Sequence, residues 1–116
     1  MNWPDKILIC EVGPRDGLQI EKAILTAEQK IELIERIADA GIKIIEIGSF
    51  VSPKAVPQMA DTDEVAKKMK RKADVEYRAL IMNLKGLKRA EDAGIYKAKL
   101  TVSASKSHSL ANLNKT

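Results

Sequence analysis

Apolar runs and amphipathic stretches alternate along the chain. Ile7-Leu8-Ile9-Cys10 reads as a buried strand, and it leads into the charged turn Glu11-Val12-Gly13-Pro14-Arg15-Asp16-Gly17-Leu18-Gln19. Ile20 to Leu25 reads as loop. Thr26-Ala27-Glu28-Gln29 then carries a capping-box pattern that starts a helix at Ala27. Ile31, Ile34, Ile37 and Ala38 form its apolar stripe, and Gly41 is its stop. Ile42 to Ile47 is almost continuous in β-branched residues, as a strand covered on both faces in a parallel sheet should be. The Ser49–Ala60 stretch contains Pro53 and Pro57, which predicts a long loop at that strand's exit. Asp61-Thr62-Asp63-Glu64 starts a second helix with Val65, Ala66 and Met69 as its apolar face. Val75 to Met82 is a third strand. Asn83 caps a third helix whose inner face is Leu87 and Ala90 and whose stop is Gly94. Tyr96 to Val102 is a fourth strand, and the polar remainder from Ser103 reads as an exit loop.

Asp39-Ala40-Gly41-Ile42 returns as Asp92-Ala93-Gly94-Ile95, each time joining a helix to a strand, as repeated βα units would. Four strands alternating with helices predict a parallel α/β architecture with right-handed crossovers. An open doubly wound sheet is the alternative, but the first turn lacks the G-x-G-x-x-G phosphate fingerprint.

The first turn is the most informative stretch. Pro14 fixes its own φ and biases Gly13 away from helix, and Gly17 is free to adopt a positive φ, so Arg15 and Asp16 sit on a short, constrained mount. A lone Arg-Asp dipeptide is commonly only a weak surface ion pair. On the second strand, Ile42, Ile44 and Glu46 share a face by the period-two rule, which puts Glu46 in line with core positions near the strand's exit. A carboxylate there needs a cation, and Arg15 from the neighbouring exit is the natural partner; a purely structural salt bridge is the competing reading.

Glu11 to Gln19, followed by Glu46-Ile47-Gly48-Ser49-Phe50-Val51-Ser52-Pro53-Lys54, Val56-Pro57-Gln58-Met59, Asn83-Leu84-Lys85-Gly86, Ser103-Ala104-Ser105 and Asn112-Leu113-Asn114, resembles the N-terminal part of the 3-hydroxy-3-methylglutaryl-CoA lyase family. The resemblance runs from Ile7 to Asn114. It implies the first four βα units, with parallel strands, of a TIM (β/α)8 barrel, making residues 1–116 a partial lyase domain truncated after the fourth strand, since a complete barrel needs roughly 250 residues. It also implies metal-dependent retro-Claisen cleavage of 3-hydroxy-3-methylglutaryl-CoA to acetyl-CoA and acetoacetate. By resemblance, Arg15 and Glu46 take catalytic positions, Asp16 binds a divalent metal (Mg²⁺ or Mn²⁺), and Gln19, Lys22, Ser49 and Asn112 take substrate-binding ones. Asp is a hard oxygen ligand suited to such ions, and a fixed guanidinium facing an oxyanion is electrostatic catalysis.

The chain departs from the family pattern at Ile20, where an Asn commonly follows the Gln, and at Lys106, where an acidic residue usually follows Ser-Ala-Ser. The family's His-x-His and Asn metal ligands and its mobile-loop Cys lie on later strands, so Asp16 is the one family ligand expected here. His108, in the expected exit loop, and Cys10, expected as a small core residue, replace neither. The implied partners are an acyl-CoA substrate and either the missing C-terminal half-barrel or a further copy of the chain. A related Claisen-type acyl-CoA synthase is an alternative, weakened because those relatives usually open with a Thr-Leu-Arg-Asp-Gly type motif; a non-catalytic truncated product acting as an interaction module through its exposed sheet edge is another.

Composition narrows the remaining classes. The chain has 116 residues, 45% hydrophobic and 31% charged, ordinary for a globular protein. Net charge is +4, with its densest cluster at Lys67, Lys68, Lys70, Arg71 and Lys72, which reads as a solvated helix end. Aromatics are only 3% and do not interleave with that cluster, which argues against nucleic-acid binding. A single cysteine precludes an internal disulfide. With neither a secretory signal nor an apolar run of membrane-spanning length, the expected setting is the cytoplasm, away from membranes.

Overall fold

A computed structural model describes residues 1–113, and the side chains of residues 1–111. Four strands, β1 (Cys10–Glu11), β2 (Ile44–Ser49), β3 (Glu76–Leu80) and β4 (Lys97–Lys99), form one sheet in sequence order, every neighbouring pair parallel. Helices α1 (Ala27–Asp39), α2 (Thr62–Lys68) and α3 (Leu84–Asp92) make the crossovers, and α4 (Lys106–Leu113) follows β4. Among the described residues no helix is long and apolar enough to cross a membrane.

Local chemistry explains the boundaries. Thr26 accepts from the Gln29 amide at 3.2 Å while its own amide donates to Gln29 Oε1 at 2.9 Å, the reciprocal cap that starts α1. Asn83 accepts from the Gly86 amide at 2.8 Å and starts α3. Gly41 and Gly94, the repeated helix stops, are the two positive-φ glycines, at 97° and 77°. Gly17 is not among them. Gly13–Gly17 instead winds as a wide π-helical turn in which the Val12 carbonyl accepts from the amides of Arg15, Asp16 and Gly17, so Gly13 belongs to the helical turn rather than preceding it.

The core lies between the outer face of the sheet and the helices. Ile34, Ile45, Phe50, Val65, Ala79 and Ala90 are essentially inaccessible, and each large aliphatic or aromatic side chain so buried contributes about 1.5–3 kcal/mol. Where α3 meets the sheet the spacing is too tight for large residues. A Cβ on Gly86 would come 2.4 Å from the Phe50 carbonyl oxygen. The packing stripe of α3 is therefore Gly86, Ala90 and Ala93, and Leu87, expected on the inner face, is half exposed.

The strands are shorter than the apolar runs predict. Ile7, Leu8 and Ile9 are exposed, β1 begins only at Cys10, and Cys10 is itself exposed rather than a core residue. β1 and β4 are the sheet edges, each hydrogen-bonded on one side only, and extended chain beyond the paired residues gains no ladder there. For the same reason Tyr96, Leu100 and Val102 lie outside β4 and are exposed. Lys106–Leu113, within the stretch expected as loop, is helical, with Ser105 Oγ accepting from the His108 amide at 3.3 Å and His108 Nδ1 2.8 Å from Ser103 Oγ. The basic cluster is only partly a solvated helix end. Arg71 donates to the carbonyls of Ala66, Ala93 and Gly94, tying the ends of α2 and α3 together.

Candidate active site

Charged side chains gather at the carboxyl ends of the strands. Arg15, carried on the π-turn after β1, donates from Nε to Glu46 Oε1 at 2.5 Å, and its Nη1 lies 3.3 Å from Asp16 Oδ1. Arg15 and Glu46 are 8% and 1% exposed, so the pair is desolvated, and each charge requires the other. Lys99 Nζ stands 3.4 Å from Glu46 Oε2, so both carboxylate oxygens face cations. Asp16, by contrast, turns a largely exposed carboxylate toward solvent. The π-turn produces this division: consecutive residues on it send one side chain into the sheet end and the next outward.

Ser49 reaches the Glu46 face through an irregularity invisible in the alternation. The β2–β3 register runs Glu46↔Arg78 and then Gly48↔Ala79 and Ser49↔Leu80, a bulge that absorbs one residue. Strict alternation would send Ser49 to the helix side; the bulge returns it to the face of Glu46. Ser49 is fully buried and its Oγ has no hydrogen-bond partner, and Gln19 Oε1 is likewise buried without one. An orphaned buried polar atom of either kind is costly unless a ligand satisfies it. Gly48 faces α2 at the bulge, where a Cβ would lie 2.7 Å from the Thr62 side chain.

The loop after β2 is clamped from both sides. Arg89 of α3 donates to both carboxylate oxygens of Asp63, to the Val51 carbonyl at 3.0 Å, and lies over the Phe50 ring, 5.5 Å from its centroid. Lys30 of α1, only 3% exposed, donates to the Gln58 carbonyl and to Asp61 Oδ1 at 2.5 Å. Gln58 donates in turn to the Glu21 carbonyl at 2.8 Å, joining this loop to the one carrying Gln19 and Lys22. Sequence reasoning missed Lys30, although it occupies the buried stripe Ala27, Lys30, Ile34, Ala38; a cation at a core-facing helical position was the available signal.

Arg15, Asp16, Glu46 and Ser49 thus gather at one end of the sheet. Gln19 follows on the same connection, Lys22 is exposed beyond it, and Asn112 lies on α4 with its side chain outside the described residues. No group of three or more His, Cys, Asp or Glu among the described residues could hold a metal, so Asp16 offers one hard oxygen ligand and no complete coordination shell. A cleft of about 500 Å³ lies at the opposite, amino ends of β3 and β4, lined by residues such as Arg71, Tyr77 and Lys97, away from this centre.

A model of the HMGL-like family matches residues 6–116. The chain is 45% identical over 114 residues to a 3-hydroxy-3-isohexenylglutaryl-CoA/hydroxymethylglutaryl-CoA lyase of Pseudomonas aeruginosa, and 44% identical over 116 residues to a hydroxymethylglutaryl-CoA lyase of Bacillus subtilis. These matches cover 98% and 100% of the chain but 38% and 39% of the relatives, so the chain spans about two fifths of their length. The crystal structure of the Bacillus subtilis HMG-CoA lyase superposes with a TM-score of 0.96 over the whole chain and 39% of that protein. An HMG-CoA lyase from Acinetobacter baumannii, solved in complex with coenzyme A and 3-methylmalate, superposes with a TM-score of 0.91 at 46% identity, over 94% of this chain and 36% of that one. The four parallel strands and their helices are accordingly the N-terminal part of a TIM barrel, and the chain belongs to the HMGL-like family of HMG-CoA lyases.

Proposed function

We propose that the chain carries the electrostatic half of a hydroxymethylglutaryl-CoA lyase site, for the retro-Claisen cleavage of 3-hydroxy-3-methylglutaryl-CoA to acetyl-CoA and acetoacetate. The observation that carries this reading is the desolvated Arg15–Glu46 pair beside an exposed Asp16, at the strand ends of a fold shared with HMG-CoA lyases. In the reaction the tertiary hydroxyl loses its proton and its oxygen becomes the ketone of acetoacetate. The carbon–carbon bond breaks, its electron pair passes to the thioester enolate, and a proton delivered to that carbon completes acetyl-CoA.

Arg15 stabilises the enolate oxygen, where negative charge develops. A guanidinium already fixed and desolvated needs no reorganisation as that charge appears, an effect worth about 10²–10³ in rate for a single donor. With both oxygens facing cations, Glu46 holds Arg15 in one orientation rather than moving a proton itself. Ser49 Oγ and Gln19 Oε1 are satisfied by polar groups of the substrate, and Lys22 and Asn112, substrate-binding positions by the family resemblance, contribute to holding the acyl-CoA. Asp16 would be this chain's contribution to a Mg²⁺ or Mn²⁺ site, where such an ion would polarise oxygens of the substrate, and no group of three or more His, Cys, Asp or Glu among the described residues completes that site.

Residues 1–116 taken alone therefore turn over little substrate. Proximity and orientation are worth about 7–11 kcal/mol of barrier, more than Arg15 by itself replaces. The test is acetoacetate formation by the purified chain with Mg²⁺, alone and mixed with the C-terminal part of a full-length relative. Activity only on mixing supports the reading; activity of the chain alone that disappears in Asp16→Ala overturns the inactivity, and no activity in either arm, with both parts folded, overturns the lyase assignment.

A further inference from the structure

Two backbone groups meet at one buried hydroxyl behind the site. Thr62, the first residue of α2, is 2% exposed; its Oγ1 accepts from the Ser49 amide at 3.3 Å and donates to the Met59 carbonyl at 2.8 Å. An amide only donates and a carbonyl only accepts, so these two contacts fix the direction of the hydroxyl proton. The hydroxyl therefore ties the exit of β2 to the end of the loop that leads into α2. Both contacts are buried, and removing the hydroxyl takes a partner from each backbone group where no water replaces it.

The bridge coincides with the β2 bulge. Strict alternation would turn Gly48 inward with Glu46 and Ser49 outward to the helices, whereas the register shift between Glu46 and Gly48 reverses the two. Gly48 then faces Thr62, and its lack of a side chain is what admits the hydroxyl: a Cβ there would lie 2.7 Å from both Thr62 Oγ1 and Thr62 Cγ2. Ser49 Oγ, fully buried and without a hydrogen-bond partner, is the atom whose face this decides. A serine side chain has one heavy-atom torsion, so its backbone, and not a long flexible stem, sets where its oxygen goes.

We propose that Thr62 is the positioning residue for Ser49, its hydroxyl locking the bulge that turns Ser49 Oγ to the face of Glu46, where it meets the substrate. Thr62 itself touches no reacting group and acts only through Ser49. The inference rests on the lyase reading for what Ser49 contacts, while the lock itself is a property of the fold.

Two variants separate hydroxyl from shape: Thr62→Val keeps the branched side chain without the hydroxyl, and Thr62→Ser keeps the hydroxyl without the methyl group. Amide hydrogen exchange of the full 116-residue chain, followed by NMR, reads the lock directly. In Thr62→Val the Ser49 amide is expected to exchange about two- to tenfold faster relative to the Ile34 amide of α1, as loss of one hydrogen bond allows, and in Thr62→Ser the ratio stays that of the parent. Normalising to Ile34 removes any general loss of stability. In the mixture with the C-terminal part of a full-length relative, Thr62→Val raises KM for 3-hydroxy-3-methylglutaryl-CoA about two- to tenfold with kcat within about twofold, and Thr62→Ser behaves as the parent. In a Ser49→Ala background Thr62→Val adds nothing further to KM, because both changes remove one contact. A parental exchange ratio or an unmoved KM in Thr62→Val, a Thr62→Ser variant as impaired as Thr62→Val, or an equal rise in KM in both backgrounds would overturn the proposal. Absence of acetoacetate from the parent mixture would count against the lyase reading instead, and the exchange ratio then decides whether Thr62 holds Ser49.

Discussion

Arg15 Nε and Glu46 Oε1 lie 2.5 Å apart, joining the turn after β1 to the middle of β2 across a sheet end from which water is excluded. Removing one member of such a pair leaves the other charge buried. Glu46→Ala is expected to destabilise the chain by about 3–5 kcal/mol, read by urea unfolding. Because Lys99 also loses its carboxylate, Glu46→Ala with Lys99→Met should recover part of the loss. A Glu46→Ala change below about 1 kcal/mol would mean that Arg15 is solvated and not preorganised.

Gly86 and Gly17 predict opposite outcomes for the same substitution. Gly86→Ala drives a methyl group into the Phe50 carbonyl and is expected to cost about 1–3 kcal/mol. Gly17 has nothing within 4 Å of a built Cβ and no positive φ, so Gly17→Ala should be neutral or stabilising by up to about 1 kcal/mol. Thermal unfolding of the two variants side by side distinguishes them.

Lys30→Met removes the buried link to Gln58 and Asp61 and is expected to cost about 1–3 kcal/mol, the penalty of leaving partly buried acceptors without a donor. The loop between β2 and α2 should become the first point of proteolytic cleavage. Cleavage that starts elsewhere, at an unchanged rate, would show that Lys30 does not hold that loop.

What the sequence reveals here is what local rules decide. The Thr26–Gln29 box, the Asn83 cap and the two Asp-Ala-Gly-Ile junctions each state their conformation within four residues, and all three appear as read. Alternation holds from Ile44 to Glu46 and puts the two on one face, but it is the inner face, opposite the core residues Ile45 and Ile47, and the bulge that begins one residue later moves Ser49 to a face that alternation denies it. The exposure of Leu87 has no local signature, because it is set by how closely α3 approaches Phe50, a tertiary distance. Ile7 to Ile9 have the hydrophobicity of a strand, which reports what a segment would bury, but the pairing with β2 begins only at Cys10. α4 is hidden from sequence because it is polar with little amphipathic periodicity, leaving neither apolar stripe nor length to reveal it.

The claim that Arg15 acts on the developing enolate is tested most directly by the rate of acetoacetate formation when the chain is mixed with the C-terminal part of a full-length relative. Arg15→Gln should lower kcat about 100- to 1,000-fold at saturating substrate with little change in KM, since the interaction strengthens only as charge appears on the thioester oxygen. A kcat within about threefold of the parent, or a loss confined to KM, would contradict that role and leave the Arg15–Glu46 pair a structural salt bridge.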